Sequence, residues 1–419
     1  MGKGGDKSEG VSKGKKMEVL IRGKYYDVTG MKHPGGSIIK LYAGKGIDAT
    51  QAFDNFHLRS AKAMKYMNSL PNRDADEREE KEKRLPGQKA LLDDFNDLTE
   101  ELKKEGYFKP SPAHALYRIF EIILMHAVGA YLLVNGYFAA AVIILGIASG
   151  RCGWLMHEAG HYSLTGNISL DKQLQIWLYG VGCGMSASWW RSQHNKHHSM
   201  PQKLSADPDL NTLPLVAFSS RVVKRANSAL KGWISVQATA FPLVTCLLVA
   251  LGWQFYLHPR HILRIKQWTE AVALLVRAAI FWLFLVPHLS LAGAVKFYLL
   301  YNMVAADYIF INFAVSHTHL PTVAADDTQV DWVRYAAVHT MNVAPGPFKW
   351  VNWWMSFLNY QIEHHLYPSM PQFRHPLIAP RVKALFQKHG LVYDQRSYVQ
   401  AMVVTFKNLH KVGSDVFHG

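Results

Sequence analysis

The chain has few cysteines and lacks an apolar segment near its start. Three cysteines occur among 419 residues, and Cys152, Cys183 and Cys246 are too far apart for a disulfide framework, which fits a reducing, cytosol-facing environment. Residues 1–16 are rich in Lys and Gly and lack the apolar core of a signal peptide, so we expect a disordered tail there. Asp6 stands where N-myristoylation requires Ser or Thr, which disfavours lipidation.

Acidic residues are scarce relative to basic ones. The sequence has 31 Asp and Glu against 46 Lys and Arg, which gives a formal charge of +15. Such a charge suits either nucleic acid or an anionic membrane surface. Because basic residues such as Arg260, Arg264 and Lys266 flank apolar runs, we favour a membrane protein whose basic loops face the cytosol. We expect membrane lipids, and no nucleic acid, among its partners.

Five apolar runs approach the length needed to cross the hydrocarbon core of a bilayer. They cover residues 119–134, 137–155, 234–257, 271–286 and 291–315. The first two are separated by a turn at Asn135 and Gly136 and predict a helical hairpin. If the polar motifs described next are to meet on one side of the membrane, an even number of runs must cross. One of the last three, either 234–257 or the run that bears Arg277, should therefore be re-entrant, interfacial or buried, which leaves about four transmembrane helices.

Histidines repeat one spacing at three places in the chain. The pattern occurs at His157 and His161, at His194, His197 and His198, and at Gln361, His364 and His365. On a helix, residues three and four apart share a face, so each place predicts a helical surface that presents imidazoles from adjacent turns to a metal. The chain has 21 histidines, but histidines scattered by chance would not repeat the same offsets.

The number of clustered imidazoles indicates two metal ions rather than one. Imidazole binds Zn, Cu, Fe and Ni alike, so the spacing does not select the metal. His317, one turn beyond the last apolar run, is a further candidate ligand, and the neighbouring His319 is less favoured. His339 and Asn342 are candidates to support the ligands by hydrogen bonding.

A small module precedes the apolar runs. Residues 19–21 and 25–28 flank a turn and predict a β-hairpin. His33 follows, in the tight turn His-Pro-Gly-Gly, and His57 comes later, with apolar residues between them. Two histidines facing across an apolar slot suit a six-coordinate haem that carries electrons and binds no oxygen. The module resembles cytochrome b5, a resemblance that assigns the axial haem positions to His33 and His57.

The three histidine sites resemble the three histidine boxes of membrane fatty acyl desaturases. The fused haem module, and Gln361 in place of the first histidine of the third box, are typical of the front-end branch. Residues 151–154, 314–319 and 361–373 are most similar to microalgal delta-5 and delta-6 polyunsaturated fatty acid desaturases. The resemblance runs from about residue 17 to about residue 412.

This resemblance implies a site, cofactors and a reaction. It implies a di-iron centre held by the histidines at positions that match the family, namely His157, His161, His194, His197, His198, His317, His364 and His365, with Gln361 as a further catalytic residue. It also implies haem b, O2 as co-substrate, and electrons from NADH that arrive through cytochrome b5 reductase. The expected reaction inserts a cis double bond between an existing one and the carboxyl end of a polyunsaturated acyl chain carried on CoA or phospholipid. Delta-5 is the favoured position, with delta-6 and delta-8 as alternatives.

We therefore predict a mainly α protein in which a helical membrane desaturase domain follows a small α+β haem module. The expected boundaries are a tail at 1–16, the cytochrome b5-like domain at 17–70, a linker and amphipathic helix at 71–112, and the desaturase domain at 113–419. The expected location is the endoplasmic reticulum membrane, with the catalytic and haem domains facing the cytosol. Two alternatives stay open: a sphingoid-base desaturase or acyl hydroxylase, and a non-enzymatic, histidine-rich metal transporter.

Overall fold

The computed structural model describes residues 16–33, 35–76, 85–223 and 227–416. The expected disordered tail up to residue 15 lies outside the described residues. So do Pro34 of the His-Pro-Gly-Gly turn and residues 77–84 of the expected linker.

The N-terminal module is built on a three-stranded antiparallel sheet. Strands β1 (Glu18–Ile21) and β2 (Lys24–Asp27) pair as the predicted hairpin, with Val19 opposite Tyr26. A third strand, β3 (Asn72–Asp74), pairs with the other edge of β2, so the sheet continues past residue 70 into the stretch expected to be linker. The sheet buries Val19, Leu20 and Ile21 toward the helices of the module.

Two short helices complete this module and carry one of its histidines. A 3-10 turn at Gly36–Leu41 leads into α1 (Thr50–His57), which ends at His57 itself. Helix α2 (Ala61–Asn68) follows, and the Ser60 side chain caps it by accepting a hydrogen bond from the Ala63 amide.

The first two apolar runs form the predicted helical hairpin. After α3 (Gln88–Lys104), the chain enters α4 (Pro112–Val134), then turns at Gly136 and returns as α5 (Phe138–Gly160). The turn uses a positive φ of 80° at Gly136, a conformation that glycine adopts without steric cost. The two helices of the hairpin pack closely, because a Cβ on Gly129 of α4 would lie 2.5 Å from the side chain of Leu145 of α5. Because α5 ends at Gly160, it delivers His157 to one end of the membrane region.

A short stretch then carries the second histidine site. Helix α6 (Ile168–Trp177) is followed by a π-helical turn, and α7 (Ala187–Ser199) bears His194, His197 and His198. Two short helices, α8 (Ser220–Val223) and α9 (Ser228–Ser235), lead to the remaining apolar runs.

Within the described residues, four helices are long and apolar enough to cross a membrane, by length and composition: α4, α5, α10 (Gln237–Ile265) and α11 (Trp268–Ala314). The 47 residues of α11 do not form one rod. Ser290 has φ 62° inside it, and Arg277 Nε donates to the Tyr298 hydroxyl at 2.8 Å. Residues 21 apart lie about 31 Å apart in a straight helix, so the chain reverses near Ser290 and α11 is a second hairpin.

Helix α10 begins and ends on the side where α5 and α11 finish. At its start, the Gln237 side chain bonds Ala217 and Leu409. Near its end, His258 Nδ1 accepts from the Ser186 amide, one residue before the histidine-bearing α7. Both ends of α10 therefore contact segments that adjoin the histidine sites, which favours α10 over the run bearing Arg277 as the one that does not cross. The two hairpins would then supply four crossings.

The rest of the chain forms a helical layer over that same end. It contains α12 (Trp332–His339), α13 (Trp350–Trp354), α14 (Gln361–Leu366), α15 (His375–Lys388) and α16 (Tyr398–Asp415). Strands β4 (Asn342–Val343) and β5 (Gln395–Arg396) pair in parallel within it. One apolar core joins this layer to the N-terminal module, and includes Tyr42, Trp332 and Leu366. The protein is thus mainly helical, with a small α+β module seated on the layer.

The approach of the two hairpins depends on Gly146. A Cβ there would lie 2.6 Å from Val304 Cβ and 2.9 Å from the Tyr301 carbonyl oxygen. We expect Gly146→Ala to destabilise the protein by about 1–3 kcal/mol, because overpacking forces α5 and α11 apart. The measurement is thermal unfolding in detergent. The control is Gly232→Ala in α9, where a Cβ meets nothing within 4 Å; equal Tm values for the two variants would contradict this account of the helix contact.

Candidate functional site

The three histidine sites converge at the head of the two membrane hairpins. The nitrogen atoms of five histidines lie within 4.8 Å of one another, and these are His157, His161, His194, His198 and His364. A second group within the same limit contains His197, His317 and His365. All eight residues singled out by the sequence are therefore brought together, and they divide into two groups. Two groups of nitrogen donors are what a pair of metal ions requires.

The imidazoles in this cluster face one another with unsatisfied nitrogens. His194 Nε2 lies 3.0 Å from Nε2 of both His161 and His198. Both ring nitrogens of His364 and of His365 are buried without a hydrogen-bond partner. Each buried unsatisfied polar atom costs about 1–3 kcal/mol, a cost that a bound cation would remove. The donor set therefore fits metal ions.

Burial keeps most of these rings neutral, as metal ligands must be. Removal from water, together with the neighbouring imidazoles, holds the pKa of His198 and of His364 well below the ordinary value. Burial likewise lowers the pKa of His317 to about 3. A neutral imidazole offers a lone pair at neutral pH, whereas a protonated one would repel a cation.

His197 is the exception, because a carboxylate holds it. Its Nδ1 donates to both oxygens of Asp207 at 3.0 Å, and Asp209 lies 3.3 Å away. Although burial opposes charge, the two carboxylates raise the pKa of His197 to about 9. At neutral pH His197 is therefore protonated without a metal, and metal binding would displace the Nε2 proton. The Nδ1 proton would stay hydrogen-bonded to the carboxylate, which fixes the tautomer of the bound ring and leaves Nε2 for the metal. The sequence prediction missed Asp207, whose only signal was its position in a polar loop soon after the second histidine site.

Further groups hold the ligand residues in place. The Gln372 amide lies 2.8 Å from His157 Nδ1, which leaves Nε2 of that ring unpartnered. Gln202 donates to the carbonyl of His317. Sequence reasoning named neither glutamine, because neither belongs to a spaced motif.

The other candidate residues have different surroundings. Asn342 donates to the buried Glu363 at 2.8 Å and accepts from the Ile362 amide, so it anchors α14. The His339 carbonyl lies 3.4 Å from His317 Nδ1, so it contacts a candidate ligand directly. His319 belongs to neither histidine group and lies 3.4 Å from the Thr405 hydroxyl.

Gln361 lies at the edge of the three-histidine group. Its Oε1 is buried without a hydrogen-bond partner, and it precedes His364 and His365 by three and four residues on the same helix. It also lines the large cavity described below. Gln361 is therefore close enough to act on either the group or a molecule in the cavity.

The histidines of the N-terminal module face each other. The rings of His33 and His57 have centroids 6.0 Å apart at an interplanar angle of 89°. His33 Nδ1 accepts from the Gly35 amide at 3.0 Å, and His57 Nδ1 donates to the Phe53 carbonyl at 3.0 Å. Burial lowers the pKa of both rings. Each Nε2 is left for a ligand between the rings, an arrangement that fits bis-histidine haem.

This module is docked on the histidine cluster. The Tyr42 hydroxyl donates to the carbonyl of Ser199 at 3.1 Å, next to His198. The Ser369 hydroxyl donates to the Asn55 carbonyl at 2.7 Å, and Arg59 donates to the Ser369 carbonyl at 3.1 Å. The two histidine slots of the protein therefore belong to one packed structure.

A cavity of about 760 Å³ passes the cluster. Its outer lining includes Ser37 and Lys40 of the N-terminal module, and its inner lining reaches Gln254 and Asn302 between the membrane helices. Between them it is bordered by four candidate metal ligands, His157, His194, His197 and His317. Most of the remaining lining is apolar, which suits a long apolar ligand with one polar end.

Known proteins share both parts of this chain. Residues 135–397 match the fatty acid desaturase family model, and residues 8–74 match that of the cytochrome b5-like heme/steroid binding domain. An acyl-lipid (8-3)-desaturase of Rebecca salina is 53% identical over 95% of this chain and 92% of its own length. An acyl-lipid (8-3)-desaturase of Thraustochytrium sp is 48% identical over 96% and 93%. A delta(8)-fatty-acid desaturase of Euglena gracilis is 30% identical over 92% of each chain.

The chain therefore belongs to the fatty acid desaturase family, with a cytochrome b5-like domain fused at its N-terminal side. It is an integral membrane enzyme, a front-end acyl-lipid desaturase, and its N-terminal domain is of the haem-binding kind. Family membership excludes the metal-transporter alternative.

The Asp207 carboxylate provides a test of the smaller histidine group. We expect Asp207→Asn to weaken metal retention there by about 10–100-fold, because the amide has no charge and only one accepting oxygen for the donors that two carboxylate oxygens now serve, so His197 is held less firmly. The measurement is metal content per protein after dialysis against a graded chelator. Asp209→Asn, at a side chain that is 54% exposed, should have a smaller effect; equal retention in both variants and the parent would contradict the assigned role.

Proposed function

We propose that this enzyme is a delta-5 desaturase of polyunsaturated acyl chains. The observation that carries the proposal is the position of the two histidine groups beside a long, apolar cavity, under a docked haem module. The names of two close relatives support the position of the new bond, since a bond three carbons from carbon 8 toward the carboxyl end lies at carbon 5.

The metal in our proposal is iron. One ion would be held by the five-histidine group and the other by the three-histidine group, with Gln361 beside the latter and able to bear on its reactivity. When bound, two iron ions with O2 supply the oxidising power that removes two hydrogens from unactivated carbons. The chain's own contribution is to hold neutral imidazoles in place and, through His197 and Asp207, to fix a ligand tautomer.

The cavity would hold the acyl chain and exclude water from it. Along the second arm of α11, Ala314 and Asn302 both line the cavity, and a helical rise of 1.5 Å per residue places them about 18 Å apart. One leaflet of a bilayer hydrocarbon core is about 15 Å thick, so the cavity can enclose most of a lipid tail. The polar mouth near Lys40 would then receive the carboxyl end and its carrier, CoA or phospholipid.

Electrons would reach the metals through the docked module. In this proposal haem b is held by His33 and His57, and NADH supplies electrons through cytochrome b5 reductase. The reductase is a cytosolic-side partner, so the haem and catalytic domains would face the cytosol from the endoplasmic reticulum membrane. The three cysteines, all free and buried, agree with a reducing compartment.

The position of the new bond is tested by expression in a yeast host that lacks polyunsaturated acids. Single 18- and 20-carbon polyunsaturated acids are fed, and new double bonds are mapped by mass spectrometry. We expect a bond at carbon 5 of a 20-carbon acid. A bond at carbon 6 or 8 would support the delta-6 or delta-8 alternative, and hydroxylated or sphingoid products would support the hydroxylase or sphingoid-base alternative.

The roles of the two histidine slots are separated by one pair of variants. We expect His194→Ala to abolish product while the haem spectrum stays intact, because it removes a nitrogen from the five-histidine group only. His33→Ala should remove the haem and the internal electron supply. Product and haem spectrum are measured in the same membranes. Persistent product from His194→Ala, or full turnover of His33→Ala without added cytochrome b5, would contradict the assigned roles.

A further inference from the structure

One aromatic contact joins the haem module to the histidine cluster. Phe56, the residue before His57, meets the Trp332 ring edge to face, with centroids 6.1 Å apart and planes at 88°. Trp332 is only 8% exposed. The Trp332 side of the contact is therefore enclosed by protein, and its partner Phe56 is partly buried and covalently attached to a candidate haem ligand.

The far side of Trp332 reaches both histidine groups. Trp332 borders a void of about 10 Å³ together with His198 of the five-histidine group and His365 of the three-histidine group. Its Nε1 donates to the Leu366 carbonyl at 3.2 Å, next to His365 in the chain. Trp332 is thus packed against Phe56 of the module and hydrogen-bonded to the backbone next to His365, and it lines a void with His198.

Hydrogen bonds between the module and the helical layer fix the relative positions of Phe56 and Trp332. Asn55, beside Phe56, accepts from Ser369 at 2.7 Å, and Arg59 donates to the same Ser369 at 3.1 Å. Ser369 follows the third histidine site by four residues. Hydrogen bonds from residues before and after Phe56 therefore join the segment that carries His57 to the segment that carries His365.

A competing connection runs through Tyr42. Its hydroxyl donates to the Ser199 carbonyl at 3.1 Å, and Ser199 follows His198. Tyr42, however, is nine residues from His33 and is bonded to neither candidate haem ligand. Because electron tunnelling is faster through covalent bonds and packed atoms than across gaps, the path through Phe56 is the better coupled of the two.

We propose that Phe56 and Trp332 form the bridge by which electrons pass from the haem module to the metal centre. The inference rests on the proposed function, in which haem lies between His33 and His57 and iron lies in the histidine groups. In each transfer a ferrous haem is oxidised to ferric and one ferric ion of the pair is reduced to ferrous. Two such transfers supply two electrons per double bond. Trp332 acts as a tunnelling bridge and is a positioning residue for the chemistry.

The test measures the haem itself, by stopped-flow absorbance, as it is reoxidised in the full-length, iron- and haem-loaded enzyme with substrate and O2. We expect Trp332→Leu to slow reoxidation by about tenfold or more, because the smaller side chain opens a gap in dense packing. Phe56→Leu should slow it in the same direction from the other side. The control is Trp350→Leu, at a tryptophan that is 43% exposed, which should keep the parent rate.

A second electron source distinguishes a role of Trp332 in electron transfer from a purely structural role. Dithionite with a small mediator, added without O2 and then removed, reduces the iron directly and not through the bridge. When O2 is then admitted, Trp332→Leu should form as much product in a single turnover as the parent does. Loss of that product, or of iron, would mean that Trp332 is merely structural and would overturn the proposal. So would a parent-like reoxidation rate in both bridge variants, or slowing by Tyr42→Phe alone. If the parent enzyme itself forms no product with either electron source, the proposed function fails instead.

Discussion

Eight clustered imidazoles, seven of them buried, are the constraint on which this structure depends, because several of their ring nitrogens have no hydrogen-bond partner. Such an array is costly in an empty protein interior, because each unpaired nitrogen has lost its water. Its retention requires a framework that holds the rings together: α5, α7, α14 and the end of α11. Asp207 and Asp209 add the charges that favour a cationic His197, and the hydrogen bond from Nδ1 to Asp207 orients that ring. The two-group division follows from this arrangement, and with it the capacity to hold two metal ions.

The membrane hairpins and the haem module both adjoin that array of histidines. The membrane hairpins provide an apolar cavity whose polar end opens beside the haem module. The haem module is joined by hydrogen bonds to Ser199 at the end of α7 and to Ser369 after α14, and it also lines the outer end of the cavity. Because one apolar core joins module and helical layer, the module is positioned by packing as well as by the linker.

Much of this arrangement was predictable from local spacing. Offsets of three and four residues predicted the helical faces that carry His157, His194 and His364, and the Asn135–Gly136 turn predicted the first hairpin. The need for the histidine sites to meet required one of three later runs not to cross. Local sequence did not choose between 234–257 and the run bearing Arg277, because both are apolar. Contacts of Gln237 and His258 with distant segments identify the former.

By itself the sequence determined which residues could bind a metal, that an even number of apolar runs must cross the membrane, and which family the chain resembles. These follow from periodicity and residue chemistry, which are local. Only the tertiary structure decided how eight histidines divide into two groups, that Asp207 and Gln372 hold two of them, and that Trp332 lies between the haem module and both groups. These contacts join residues that are far apart in the sequence. The spacing of residues along the chain does not show which surfaces will pack together.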